Sequence, residues 1–269
     1  MIGFAKVHAY GNDFLYVEEG HVAGVALDSL AREMCDRHTG VGADGLIVYS
    51  RTTQGARGAR MRLFNADGGK AEVSGNGVRG LAALLLQGDD TTNAVVTIET
   101  EAGAKDVARL ERAHGRQTFR TAMGAPLDVR QVTVAAGGET VQAVVMNFGN
   151  PQCIVLGPLP PEEPFWRLGA ALERHPMFPA GTNVEFAFVE RPDTVRILIW
   201  ERGVGPTTSS GTGSCAALVA AASFGGAARD AVVVAPGGSQ RVEWRQDGVH
   251  LTGWAEVVCE GEWLRDLPR

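Results

Sequence analysis

The sequence predicts an α+β chain of two pseudo-symmetric domains, and three observations carry that prediction. First, Ser74-Gly75-Asn76-Gly77 opens an apolar helix through Val78, Leu81, Ala82, Leu84 and Leu85, and Ser210-Gly211-Thr212-Gly213 opens another over Ser214 to Phe224. Second, most other apolar residues fall in short runs separated by glycine-rich turns, the pattern of strands. Third, matching features recur in one order at nearly one offset, close to half of the 269 residues. Gly11-Asn12 matches Gly149-Asn150, the loop around Gly42 matches Gly181 to Asn183, Asn65 matches Glu201, and Ser74 matches Ser210. The first of these helices is apolar over too wide a surface to leave a side for water, so it is expected inside a sheet.

In the first half, strands are read at Phe4 to His8, Phe14 to Val17, Leu46 to Ser50, Met61 to Asn65 and Val95 to Thr100. A helix is expected to start with Asp28 as its N-cap and to carry Leu30, Ala31, Met34 and Cys35 on one face, up to the loop from Thr39 to Gly45. In the second half, strands are read at Thr140 to Asn147, Cys153 to Leu156, Val184 to Glu190 and Val195 to Trp200, with a helix near Trp166 to Arg174. Short strands follow the second apolar helix at Ala231 to Ala235, Val242 to Trp244 and Ala255 to Glu260.

Composition excludes several classes of function. Hydrophobic residues make up 45% and charged residues 21%, the balance of a folded globular chain. Twenty-five Lys+Arg against 31 Asp+Glu give a net charge of -6, with no basic stripe for a phosphate backbone, so no nucleic-acid partner is expected. The most apolar stretch, Ser214 to Gly225, is shorter than the roughly 20 residues of a bilayer span, so no membrane segment is expected. Cys35, Cys153, Cys215 and Cys259 are widely spaced, which suggests neither a metal site nor a disulfide framework. Together with a start that lacks an apolar leader, this reads as a reducing, cytoplasmic setting.

The paired loops suggest chemistry. A glycine-rich turn entering a buried helix aims unpaired N–H groups and the positive end of the helix dipole at one point, which suits an anion. If the halves face one another, both turns would grip one small carboxylate. Donors on its oxygens would stabilise the enediolate-like charge formed when the neighbouring carbon loses a proton. Inverting that carbon needs one group on each face, and Ser74 and Ser210 hold the mirrored positions. The simpler alternative is that each Ser-Gly-x-Gly is an N-cap and a tight turn.

Over nearly its whole length the sequence resembles the diaminopimelate epimerase family, of the lysine and peptidoglycan pathway. The pieces are Lys6-x-His8-x-x-Gly11-Asn12-Asp13-Phe14, Arg37-His38-x-Gly40-Val41-Gly42-x-Asp44, Phe64-Asn65-Ala66-Asp67-Gly68, Gly75-Asn76-Gly77, Gly149-Asn150-Pro151, Glu201-Arg202-Gly203 and Leu251-Thr252-Gly253. The resemblance implies two similar domains, each a mixed sheet curled around a central helix. One would span residues 1–118 and be joined by a returning tail at about 256–269, and the other 119–255. It also implies a cofactor-independent, pyridoxal-phosphate-free isomerase with no metal, working on a small amino acid, alone or as a homodimer. Asn12, Asn65, Gly75, Asn76, Asn150, Asn183, Glu201, Arg202, Gly211 and Thr212 would surround the substrate. His8 and His38 match framework positions.

In that family two cysteines act as base and acid, each just before a Gly-x-Gly loop. This chain has Ser74 and Ser210 there. A hydroxyl roughly 5 units less acidic than a thiol makes its deprotonated form about 7 kcal/mol costlier, so thiolate-type epimerisation is expected to be crippled. Gly45 and Gln152 also stand where the family has Gln and His, which favours natural divergence over a laboratory double substitution. Three readings remain open. The chain could be an epimerase or racemase acting through Ser74 and Ser210 with help from Glu201. It could be a proton-shifting isomerase with one carboxylate base, Glu201 or Asp67, or a silent paralogue that binds an amino acid without turnover.

Overall fold

Tyr10 at φ 57° and Gly11 at φ 87° supply the two positive φ angles of a tight hairpin turn, which folds strand β1 (Ile2–Ala9) back onto β2 (Asn12–Glu18). The structure is a computed structural model that describes residues 1–52, 57–71 and 74–266. The chain divides into two units, Met1–Thr121 with Trp254–Arg269, and Ala122–Gly253. Residues 267–269, assigned to the returning tail by the sequence reading, lie outside the described residues.

In the first unit, helix α1 (Leu27–Cys35) crosses from β2 to the parallel β3 (Gly45–Arg51). β4 (Gly58–Asn65) and the short β5 (Lys70–Ala71) follow as antiparallel neighbours. Helix α2 (Gly75–Leu85) then crosses from β4 to the parallel β6 (Val95–Thr100). β7 (Gly103–Ala113) and β8 (Arg116–Gly124) complete the run. Apolar residues alternate by face. Tyr16, Ile47, Met61 and Leu63 pack around Val78, Leu81 and Ala82 of α2, whereas Leu15, Leu46, Val48 and Phe64 pack under Leu30 and Met34 of α1.

The second unit repeats this order. β9 (Leu127–Ala136), β10 (Glu139–Asn147) and β11 (Pro151–Leu156) lead through helix α3 (Glu162–Glu173) to β12 (Asn183–Arg191), parallel to β11. β13 (Thr194–Glu201) and β14 (Gly205–Thr207) precede helix α4 (Gly211–Ala220), which crosses to β15 (Asp230–Ala235), parallel to β13. β16 (Gly238–Arg245) and β17 (Gly248–Trp263) end the chain, and β17 runs on into the first unit beside β1. Both units thus follow one scheme of two parallel crossovers, the first through an outer helix and the second through an inner one, as the duplication predicts.

All ten residues of α4 are buried, and so is α2 from Gly75 to Ala83. The two helices are the cores of their units. Burying one side chain such as Leu218 or Leu81 stabilises the fold by roughly 1.5–3 kcal/mol.

The structure differs from the sequence reading in several places, among them the short strands β5 and β14, which were not read from the sequence. Asp28 does not cap α1. Ala26 precedes the helix, and Asp28 sits in its first turn, where its carboxylate accepts from Arg32 at 2.7 Å. β7, β8 and β9 were not anticipated, because polar residues such as Arg109, Gln117 and Thr121 sit on the buried face of β7 and β8, and β9 is exposed over most of its length, so the apolar period-two pattern is interrupted. α3 begins at Glu162, ahead of the expected start, with Glu162 and Glu163 favourably placed at the positive end of its dipole.

Candidate active site

In the first unit, Ser74 is extended (φ -129°, ψ 122°), and its Oγ accepts the Gly77 N–H at 3.1 Å, capping α2. Gly75, Asn76 and Gly77 form the first turn. A Cβ on Gly77 would lie 2.8 Å from Ile47 Cδ1, so a larger residue there would have to push that side-chain end aside. The side chains are tied into a chain of bonds. Asn76 Nδ2 donates to Asn12 Oδ1 at 3.0 Å, Asn12 Nδ2 donates to Asp44 Oδ2 at 2.7 Å, and Arg79 donates to Asn76 Oδ1. Asp44 is held in turn by Arg37 at 2.9 Å. Burial raises the Asp13 pKa, but hydrogen bonds and charge from Arg37 and Lys6 outweigh it and keep the carboxyl below its ordinary value. Asn65 ends β4 on the face shared with Leu63, toward α2, and its backbone closes the Asp67 turn. Asp67, the alternative base, is exposed and uses its carboxylate to accept the Gly69 N–H at 2.7 Å.

In the second unit, Ser210 (φ -135°, ψ 129°) accepts the Gly213 N–H at 3.1 Å and caps α4 in the same way. Asn150 Nδ2 reaches Thr212 Oγ1 at 3.4 Å, and Gln152 lies within 2.8 Å of Asn150 Oδ1. Asn183 starts β12, where its Oδ1 accepts the Arg202 N–H at 3.0 Å. Arg202 Nη1 donates to Ala180 O at 3.3 Å. Glu201 ends β13, half-buried, opposite Gly205. The structure therefore gathers Ser74, Gly75, Asn76 and Asn12 at the N-terminus of α2, and Ser210, Gly211, Thr212 and Asn150 at that of α4.

Both serines are true N-caps, so the cap reading and the functional reading coexist. Each oxygen accepts one N–H and keeps its own proton to donate. A helix N-terminus favours negative charge by about 0.3–1 kcal/mol at exposed sites. That is far short of the roughly 7 kcal/mol that separates a hydroxyl from a thiol as an acid. These hydroxyls are donors and not bases. The cysteines do not replace them. Burial pushes the Cys35 and Cys153 thiols up to about 12, and Cys215 is buried in the α4 core.

Sequence reasoning missed a support and a carboxyl. Glu173, at the end of α3, accepts from Trp200 Nε1 at 2.7 Å and from the Gly203 N–H at 2.9 Å, so it fixes the loop that carries Glu201 and Arg202. Glu173→Ala leaves the buried Trp200 N–H without this acceptor and frees the exposed Gly203 N–H to water, at a cost of about 1–3 kcal/mol. Amide exchange of residues 201–204 is expected to quicken, and unchanged exchange would refute the support. The second missed group is Glu185, buried in β12 beside Gln152. A charged residue inside the apolar run from Val184 to Val189 was the available signal.

Residues 4–126 and 144–258 match a family model described as diaminopimelate epimerase. The chain is 38% identical to the diaminopimelate epimerase of Desulforudis audaxviator, covering 97% of this chain and 99% of that one. It is 34% identical to that of Halothermothrix orenii, covering 97% of each. Among solved structures, a hydroxyproline epimerase from Agrobacterium vitis with bound trans-4-hydroxy-L-proline aligns with TM-score 0.73 and 19% identity, over 97% of this chain and 91% of the other. A methylitaconate-delta-isomerase aligns with TM-score 0.63 and 12% identity, over 97% and 94%. These last two likenesses concern the fold.

Proposed function

Because the chain belongs to the diaminopimelate epimerase family, and is an isomerase of the epimerase and racemase kind, we propose that it acts on the α-carbon of a free amino acid, with LL-diaminopimelate as substrate and the meso form as product. The observation that carries this reading is the repeated N-terminal turn, with a capping serine and a neighbouring asparagine in each unit. A zwitterionic substrate needs donors for its carboxylate and acceptors for its ammonium, and asparagine supplies both.

In this reading, N–H groups of a helix N-terminus hold the substrate carboxylate and stabilise the enediolate charge as the α-proton leaves. Glu201 takes that proton as the carboxylate base, the bonding pair moves toward the carboxylate carbon, and a solvent water then delivers a proton to the opposite face of the α-carbon while Glu201 returns its proton to the hydroxide left behind. Ser74 and Ser210 occupy the positions of the family's two cysteines and donate hydrogen bonds, so turnover is slow compared with a thiolate pair. The capped hydroxyls also favour a second reading, in which the amino acid binds without turnover.

Deuterium incorporation at the α-carbon of LL-diaminopimelate in heavy water, with no added cofactor, separates the two. Slow incorporation that Glu201→Gln lowers at least about tenfold is expected for an acting base. Binding seen by calorimetry without incorporation would remove the isomerase assignment and leave a binding protein.

A further inference from the structure

Glu185 has no part in the function just described. It is completely buried on the side of β12 that faces α4, level with Ile154 on β11 and Ile199 on β13. A Cβ on Gly213 would run into its Oε1. The Gln152 side-chain amide lies 3.1 Å from Glu185 Oε2 and 3.3 Å from Oε1.

The first unit shows what this place holds otherwise. There β2 and β3 pair Phe14 with Gly45 and Tyr16 with Ile47, just as β11 and β12 pair Gln152 with Asn183 and Ile154 with Glu185. Phe14 and Ile47 therefore stand where the second unit has Gln152 and Glu185, and Ile47 abuts Gly77 as Glu185 abuts Gly213. An apolar pair behind one helix N-terminus is a polar, proton-binding pair behind the other.

The groups facing Glu185 are few. β13 contributes the Glu201 carboxyl and β11 the Gln152 amide, the Cys153 thiol lies on the other face of β11, and the first turn of α4 carries no charged side chain. Burial, and after it repulsion from Glu201, push the Glu185 carboxyl well above the ordinary range. That shift favours the neutral acid, which donates a hydrogen bond.

The Gln152 amide can answer either proton state. With its oxygen toward Glu185 it accepts from the neutral acid, and its nitrogen donates to Asn150 Oδ1 at 2.8 Å. The amide group of Asn150 is then left as a donor. With its nitrogen toward an ionised Glu185, its oxygen lies 2.8 Å from the Asn150 amide, which must turn its NH2 inward to donate, and 3.2 Å from both Thr212 Oγ1 and Asn183 Nδ2, so all three donors are drawn inward.

We propose that Glu185 is a positioning residue of the second unit: its proton sets the orientation of the Gln152 amide and so decides whether Asn150, Thr212 and Asn183 offer their donors to a carboxylate ligand at the N-terminus of α4. The proton exchanges with solvent water. The identity of the ligand as an amino-acid carboxylate rests on the isomerase reading, whereas the coupling of Glu185 to Gln152 does not.

The test is a pH titration of the full-length, isotope-labelled protein by NMR without ligand. The Glu185 side-chain carbon and the Gln152 side-chain NH2 signals are expected to move together, with one midpoint above the ordinary carboxylate range, and Glu185→Gln should abolish the Gln152 movement. Titrated with LL-diaminopimelate by calorimetry, wild-type affinity should fall about tenfold through that midpoint, while Glu185→Gln shows no such step. Stability gives a further readout that needs no ligand. A folded pKa above the unfolded value contributes stability that is present at low pH and lost as pH rises through the folded pKa. Denaturant midpoints of the wild type should therefore fall relative to Glu185→Gln as pH rises above the ordinary carboxylate range. An ordinary Glu185 midpoint, or a Gln152 signal that titrates unchanged in Glu185→Gln, overturns the proposal. Coupled titration without any diaminopimelate binding overturns the ligand assignment and leaves the coupling in place.

Discussion

Replacing Ser74 and Ser210 together by cysteine is expected to raise α-hydrogen exchange of LL-diaminopimelate by several decades. Both positions cap a buried helix, so a sulfur there sits at the positive end of a dipole, the setting that lowers thiol pKa. A thiol begins near 8.5 and becomes substantially ionised near neutral pH in such a place. The hydroxyl begins roughly 5 units higher, so the gain has a ceiling of about 7 kcal/mol, or five decades, where the base alone limits the rate. Losing the serine caps costs about 1 kcal/mol each, which a stable fold absorbs. A single thiolate can exchange the α-hydrogen from its own side, so each single variant should also gain exchange, whereas conversion to the meso form, which needs a proton removed on one face and delivered on the other, should need the pair. Exchange by the folded double variant that stays at the wild-type level would show that these turns do not hold diaminopimelate.

Arg109→Met is expected to cost the first unit about 3–5 kcal/mol, the range for an unpartnered buried polar cluster. Arg109 is 4% exposed and ties down the end of α2. Its Nη1 donates to Leu86 O and Gln117 Oε1, each at 3.1 Å, and its Nη2 to Asp89 O at 2.6 Å and Thr91 O at 2.8 Å. Gln117 in turn donates to Ala83 O at 2.8 Å, so carbonyls in the last turn of α2 and just beyond it depend on this pair. Methionine fills the space and leaves four acceptors without this donor. Arg109→Lys should recover only part of the loss, because an ammonium lacks the planar fork that reaches four oxygens. Denaturant midpoints, together with faster amide exchange over residues 82–86, check the result. A loss below about 1 kcal/mol would mean that water replaces the guanidinium.

Much of the fold was legible because its signals are local. The two Ser-Gly-x-Gly turns announced the central helices through cap chemistry and an unbroken apolar run, and their common offset announced the duplication. Asn12, Asn76, Asn150 and Thr212 were legible through the family resemblance, and the bonds joining them at the helix N-termini now give those positions a physical basis. β7 to β9 were not legible, because polar residues on the buried face of β7 and β8, and the exposure of most of β9, break the apolar alternation that marks a strand. Nor was Arg109, whose partners lie on α2, the loop after it and β8.

By itself, then, the sequence determined periodicity, turn chemistry and the repeated order of elements, since these depend on neighbours along the chain. Only the tertiary structure decided that the Glu185 carboxyl is pushed above the ordinary range. Glu185 and Glu201 are both glutamates near strand ends in sequence. Strand pairing and α4 together remove water from Glu185 and set Gln152 beside it. Proton affinity follows burial and the charges that other strands bring near, and no local pattern records either one.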